Sequence, residues 1–246
     1  MVGARGLAHE DTIRTFHSAR FMEDPAAIQC NLDGNPLHEE QLEIVEKLGP
    51  VYAFNTVLDE HRNLVMATFG EVIESHLKAV KSVRHSSEVS IGRRFRTVVT
   101  SAAGAPLDRT YYQTIKGMVT PLDILEPGGT LIVVSECSEG LGSGAFRDAQ
   151  RRLVRQGVDD FLASLRSKRL ADIDEWQTEM QLKATRIGRV QLYSDGLRSE
   201  EDRRLTGVEM IDDVSAAVAE SLDREGDQSL AVIPEGPYVI PMARAQ

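Results

Sequence analysis

Gln113 and Lys116 stand three residues apart in Tyr111-Tyr112-Gln113-Thr114-Ile115-Lys116-Gly117, so they share one face if that segment is helical. An ammonium and an amide donor on one face can hold a carboxylate together; the same spacing also suits a solvated surface pair. The loop "EGLGSG", Glu139 to Gly144, precedes helical sequence. Its small residues would let backbone N–H groups approach an anion at a helix N-terminus, or would simply make a tight turn. The spacing is not that of the dinucleotide fingerprint. Trp176, the only tryptophan, lies in "DIDEWQTEMQLKATR" with Met180 and Leu182. It reads as core or interface packing, with a pocket wall as the alternative. The six histidines, at 9, 17, 38, 61, 76 and 85, form no H-x-x-x-H pair and none joins a cysteine at metal spacing. His17 and His9 could each be a ligand or a surface side chain.

Elements must position these residues. Four short apolar runs, "RTVVTSA", "TLIVVSEC", "RVQLYSD" and "SLAVIPEG", alternate with helical sequence. That alternation predicts an α/β fold: an open, mostly parallel sheet with helices on both faces, Rossmann-like, preceded by a short polar segment. Such sheets bind ligands at the carboxyl ends of their strands. The "YYQTIKG" and "EGLGSG" segments each follow a strand end. Upstream, "VYAFNTVL" and "LVMATFG" flank "DEHRN" and predict a hairpin. "EVIESHLKAVKSVR" has helical spacing at Val72, Ile73, His76, Val80 and Val83. "PLHEEQLEIVEKLG" predicts an amphipathic helix closed by Gly49, and "HEDTIRTFHSARFM" a short helix. Residues 1–50 hold too little apolar material for a core of their own and read as a lid or remnant of something larger; 51–246 read as the α/β domain. The tail "PYVIPMARAQ" is expected to fray or to pack across an edge.

Composition excludes several classes. Hydrophobic residues make up 41% and charged residues 27%, the balance of a globular protein. A net charge of −10 argues against nucleic acid, which wants a basic face. No apolar run reaches membrane-spanning length, and "MVGARGLAHEDTIRTFH" lacks a signal-peptide core. Cys30 and Cys137 make no disulfide framework. Cys137 closes an apolar run and reads as a buried thiol. The expectation is a cytoplasmic protein.

Taken in order, "GLAHEDTIRTFHSARF", "LDGNPLHEE", "FNTVLDEHRNLVMATFG", "TSAAGAPLDRTYYQTIKG", "EPGGTLIVVSECSEGLG", "DEWQTEMQLKATR" and "AVIPEGPYVIP" resemble the carboxyl-terminal half of the nickel-pincer lactate racemase family. The resemblance runs over nearly the whole chain, and "PLDRTYYQTIK" with "ECSEGLG" and the later Trp-Gln is its specific core. It implies a modified pyridinium mononucleotide holding nickel in a carbon–sulfur pincer, and racemisation or epimerisation of a 2-hydroxy acid by hydride transfer through a transient 2-keto acid. Two histidines of the amino-terminal part would act as alternate bases, a third would ligate nickel, and a lysine would tether the cofactor. Residue by residue, His17 matches the nickel ligand. Gln113 and Lys116 match the pair that orients the substrate, Tyr112 the tyrosine beside them, and Trp176 a tryptophan lining the site.

The sequence departs from the family pattern in places. Phe16 replaces the usual Asn before the histidine, and Met1 stands where the tether lysine is expected. The Ser-Asp-x-Thr-Arg-Pro phosphate-binding stretch, a substrate-side arginine and both base histidines have no match here. The resemblance therefore implies a fragment, or one half of a split enzyme completed by an amino-terminal partner polypeptide, with the nickel-pincer nucleotide bound only in the completed site. A non-catalytic module binding a hydroxy or keto acid, an interaction or regulatory protein, and a doubly wound nucleotide binder are the alternatives.

Overall fold

The computed structural model describes residues 10–59 and 61–244, which fall into two compact units. The expectations attached to Met1 and His9 lie outside the described residues.

The first unit is Asp24–Glu88. Helix α3 (Pro36–Leu48) begins as the sequence predicts. The Asn35 side chain accepts from Leu37 N–H at 3.0 Å, Pro36 fills a position that needs no donor, and Gly49 stops the helix with φ 75°. Strands β1 (Tyr52–Leu58) and β2 (Leu64–Glu71) form the expected hairpin, with Phe54 opposite Phe69 and Thr56 opposite Ala67. Asp59 organises its turn by accepting from the N–H groups of His61 at 2.9 Å and Asn63 at 2.7 Å. Helix α4 (Val72–Ser87) starts where Glu71 caps the N–H groups of Ile73 and Glu74. It meets one face of the hairpin through a polar pin. Buried Ser75 bonds to Asn55 Nδ2 at 2.9 Å, to Thr68 Oγ1 at 2.9 Å and to the Ala53 carbonyl at 3.1 Å.

The second unit joins residues up to Glu23 with those from Val89 onward. Its centre is a five-stranded sheet in the order β7-β6-β5-β4-β8, parallel throughout. The strands are β4 (Phe95–Ser101), β5 (Leu125–Val134), β6 (Arg189–Tyr193), β7 (Glu209–Ile211) and β8 (Leu230–Ile233). Val98, Leu131, Ile132, Val133 and Leu192 are fully buried, as continuous apolar strands covered on two sides must be. The flanking helices are α5 (Tyr111–Val119), α6 (Gly144–Gln156), α7 (Val158–Arg166), α8 (Glu175–Thr185), α9 (Glu200–Leu205) and α10 (Val214–Glu225). The α/β fold and the four expected strands are thus present. β7 is an addition, three residues long and followed by Asp212-Asp213, too short for alternation to reveal. The chain runs outward from β4 to β7, then crosses back to β8 on the other side of β4. The crevice at the carboxyl ends of β4 and β8 is therefore the switch point where such sheets bind ligands.

Two details correct the expected outline. The amino-terminal helix is broken into α1 (Glu10–Phe16) and α2 (Ala19–Met22), because Ser18 takes an extended conformation (ψ 154°) as the cap of α2. The tail forms a strand, β9 (Ile240–Met242), paired with β3 (Glu88–Ser90).

Candidate functional site

The break between α1 and α2 places His17. Ala19 packs into a cluster with Leu153, Phe161, Leu162, Leu165 and Leu182 of α6, α7 and α8. Arg14 Nε donates to the Ala171 carbonyl at 2.7 Å, while Ala171 N–H returns a bond to the Arg14 carbonyl at 3.0 Å. His17, held between these anchors, lies against Trp176 with ring centroids 4.6 Å apart. Its Nδ1 is 2.8 Å from the Ile13 carbonyl. A carbonyl only accepts, so Nδ1 is the donor here; in the neutral imidazole that tautomer leaves the Nε2 lone pair for a metal.

Trp176 is aimed from the first turn of α8. That turn is pinned by Glu175, which is 2% exposed. Its carboxylate accepts from Lys168 Nζ at 2.8 Å and from Asp172 N–H at 2.6 Å, and pairs with Arg152. Multiple donors are what a buried carboxylate requires. Trp176 Nε1 then donates to the Tyr112 hydroxyl at 3.1 Å, and Gln177 Nε2 to the Tyr112 carbonyl at 2.9 Å. Neighbouring side chains on α8 thus hold both ends of Tyr112.

Helix α5 carries the remaining residues. Thr110 caps it, accepting from Gln113 N–H at 3.3 Å. Tyr111, Thr114, Ile115 and Met118 form its buried face. Tyr111 reaches the Thr206 carbonyl at 2.9 Å, and burial pushes its phenol well above the ordinary value. Tyr112, Gln113 and Lys116 are left on the partly open face. Lys116 is exposed, and among the described residues it makes no ion pair or side-chain hydrogen bond. Gln113 Oε1 is buried without a partner. Asp108, in the "PLDR" turn before α5, is in the same condition: Oδ2 accepts from Glu136 N–H at 3.3 Å while Oδ1 has no partner. Gly117 lets α5 approach the end of β4, since a Cβ there would lie 3.0 Å from the Ser101 carbonyl.

The 139–144 loop takes its turn reading. The carbonyls of Gly140 and Leu141 accept from the N–H groups of Tyr111 and Tyr112, both at 3.0 Å. Gly142, at φ +124°, comes so close that a Cβ on it would be 3.1 Å from the Tyr112 Cβ. Ser143 caps α6 and donates to Asp174 Oδ2 at 2.6 Å, so a carboxylate already occupies the neighbourhood of that helix start. Cys137 is a buried thiol beside Thr114 and Ser135, as expected.

The structure therefore brings His17, Trp176 and Tyr112 into one chain of contacts, with Gln113 and Lys116 on the helix that Tyr112 opens. Sequence reasoning missed Glu175, Gln177 and Asp108 as its supports, although Gln177 and Asp108 sit inside the quoted Trp-Gln and "PLDR" stretches. A cavity of about 380 Å³ lies behind these anchors, lined by Glu10, Arg14, Asp148, Arg152, Asp172 and Glu175. Its two arginines are already paired to carboxylates. Among the described residues no helix is long and apolar enough to cross a membrane.

Known proteins resemble this chain in sequence and fold. The lactate racemase C-terminal domain matches residues 93–241. Lactate racemase from Thermoanaerobacterium thermosaccharolyticum is 26% identical over 247 aligned positions, covering 96% of this chain and 55% of that protein. The enzyme of the same name from Lactiplantibacillus plantarum is also 26% identical, over 96% of this chain and 55% of its own length. The apoprotein structure of the former superimposes with a TM-score of 0.84, at 24% identity, over 93% of this chain and 55% of that one. A Thermotoga maritima protein shares the fold at TM-score 0.59 and 17% identity, covering 94% of this chain and 59% of its own. The chain spans about half the length of the curated relatives it matches.

Proposed function

Because the chain belongs to the lactate racemase family, we propose that it supplies one wall of a 2-hydroxy-acid racemase or epimerase that works with a nickel-pincer nucleotide. The observation that carries this reading is the contact chain from His17 through Trp176 to Tyr112, at the head of the helix bearing Gln113 and Lys116.

The residues fit such a cofactor. The bond from His17 Nδ1–H to the Ile13 carbonyl turns Nε2 away as the nitrogen that would meet a metal. Among the described residues no group of three His, Cys, Asp or Glu side chains could hold a metal by itself. Nickel bound at His17 would therefore bring most of its ligands with it, which is what a pincer cofactor does. When bound, that group supplies the acceptor that takes the carbinol hydride and returns it to either face of the carbon.

This chain's own residues bind and orient. The net field of an acidic protein repels an anionic substrate, so a local cation must capture the carboxylate, and Lys116, exposed and unpaired among the described residues, is the candidate. Gln113 adds an amide beside it. Trp176 and Tyr112 form an apolar wall with two polar tips, and their mutual hydrogen bond fixes the wall's shape. The two alternate bases would come from the amino-terminal part of the family fold.

Chiral chromatography tests the reading. The protein isolated from its native cells, supplied with nickel, is incubated with single enantiomers of short 2-hydroxy acids, lactate first. Interconversion is expected, and its loss in Lys116→Ala. Enantiomers that stay unmixed across the set would overturn it.

A further inference from the structure

Among the described residues of Asp24–Glu88, none covers the outer face of the β1–β2 hairpin. Along both strands the side chains alternate. Ala53, Asn55 and Val57 of β1, with Met66 and Thr68 of β2, point to the face that α4 covers. Tyr52, Phe54 and Leu58 point the other way, together with Phe69. Tyr52 is 68% exposed, Phe54 66% and Phe69 71%. Tyr52 and Phe69 stack with centroids 6.1 Å apart. Leu64, opposite Leu58, extends the same apolar surface toward the turn. Soluble proteins rarely leave aromatic and aliphatic side chains in such a contiguous array unless something docks on them. Behind the face there is little else to hold the unit together. Among the described residues of Asp24–Glu88, Ala27 and Val57 are the buried apolar side chains, and the pin between sheet and helix is polar. A two-stranded ribbon needs further strands or a packed face for stability, and each of its strands also has an open edge.

The relatives say what belongs there. They align over 96% of this chain, which includes the hairpin, yet the chain spans 55% of their length. The matched domain is their C-terminal one, and it begins here at residue 93, after the hairpin has ended. In those proteins the hairpin thus belongs to the region ahead of the C-terminal domain, together with the length this chain does not span. We propose that the outer face of β1–β2, centred on Tyr52, Phe54 and Phe69, is the docking surface for a polypeptide folded like that unspanned part of the lactate racemases. Its contact face must be apolar, to match the three aromatic side chains, and a strand in it could extend the ribbon at an open edge. The inference rests on family membership and not on the proposed reaction, since the surface would serve a complex with or without turnover.

Site-specific photo-crosslinking tests it. Phe69 is replaced by p-benzoylphenylalanine in the full chain produced in its native cells, and the crosslinked peptide is sequenced after irradiation. The expected product is a peptide from a segment that aligns with the unspanned part of the relatives, and Phe54→Glu in the same chain should abolish it. A crosslink to residues 10–244 of a second copy, a crosslink to a protein without that similarity, or no product at all would overturn the proposal. The same substitution at Tyr52 gives an independent reading if the Phe69 variant does not accumulate. The chiral assay is separate, so a crosslink without racemisation would sink the proposed reaction alone.

Discussion

On the proposed reading, substrate capture turns on Lys116. A charged hydrogen bond contributes about 1.5–3 kcal/mol, so Lys116→Ala should weaken binding of a 2-hydroxy acid by roughly tenfold to a hundredfold. Calorimetry on the native protein would show this as a higher Kd with the fold intact. Trp176, the only tryptophan, gives a second handle. An imidazole in ring contact quenches indole emission, and His17 lies 4.6 Å away, centroid to centroid. His17→Ala should therefore brighten the protein's fluorescence on excitation of tryptophan; unchanged intensity would contradict the stacking. At this scale the sequence was legible only in part. Gln113 and Lys116 announce themselves by helical spacing. The link from Trp176 to Tyr112 joins residues 64 positions apart, and the one to His17 spans further still. Such pairings come from packing, and local pattern does not encode them; here only the family resemblance pointed to them.

Helix α8 carries a charge problem as well as the tryptophan. Glu179 is 1% exposed, and its Oε1 has no partner. Burial raises its carboxyl to about 8; Glu23 and Glu175 push the same way, while Lys183 and Arg186 pull against them. The folded state therefore binds this proton more tightly than the unfolded chain, whose glutamates titrate near ~4.3. The stability from the neutral form is complete below that value and is lost as pH rises toward about 8. Glu179→Gln stays neutral throughout. Near pH 9 it should melt higher than the parent by roughly 4 °C, the equivalent of about 1–2 kcal/mol in a chain this long, with little change near pH 5. A second element-level prediction concerns the 139–144 loop. Gly142→Ala forces a Cβ into a left-handed position 3.1 Å from the Tyr112 Cβ, so it should cost about 1–3 kcal/mol in thermal unfolding and weaken substrate binding together. The elements themselves were mostly readable: four strands, the hairpin and its helix follow from alternation and apolar runs. The break at His17-Ser18 was not, because it arises where Ala19 is drawn into the cluster on α6, α7 and α8.

The two units differ in what holds them. The sheet unit buries a continuous apolar core from Val98 to Ile233, whereas Asp24–Glu88 relies on the Ser75 pin and a few small contacts. Hydrogen exchange on the isolated chain should find the amides of β1 and β2 exchanging far faster than those of β4 and β5. Equal protection in both sheets would contradict this account of the smaller unit. The sheet order has a further consequence, for synthesis on the ribosome. Strand β4 takes β5 as one neighbour soon after it emerges, but its other neighbour, β8, is made more than a hundred residues later. Until Ile233 has cleared the exit tunnel, β4, an interior strand of the finished sheet, is an edge strand with open N–H and C=O groups. Nascent chains arrested before β8 should therefore be the ones that chaperones hold, and release should coincide with the arrival of the last parallel strand.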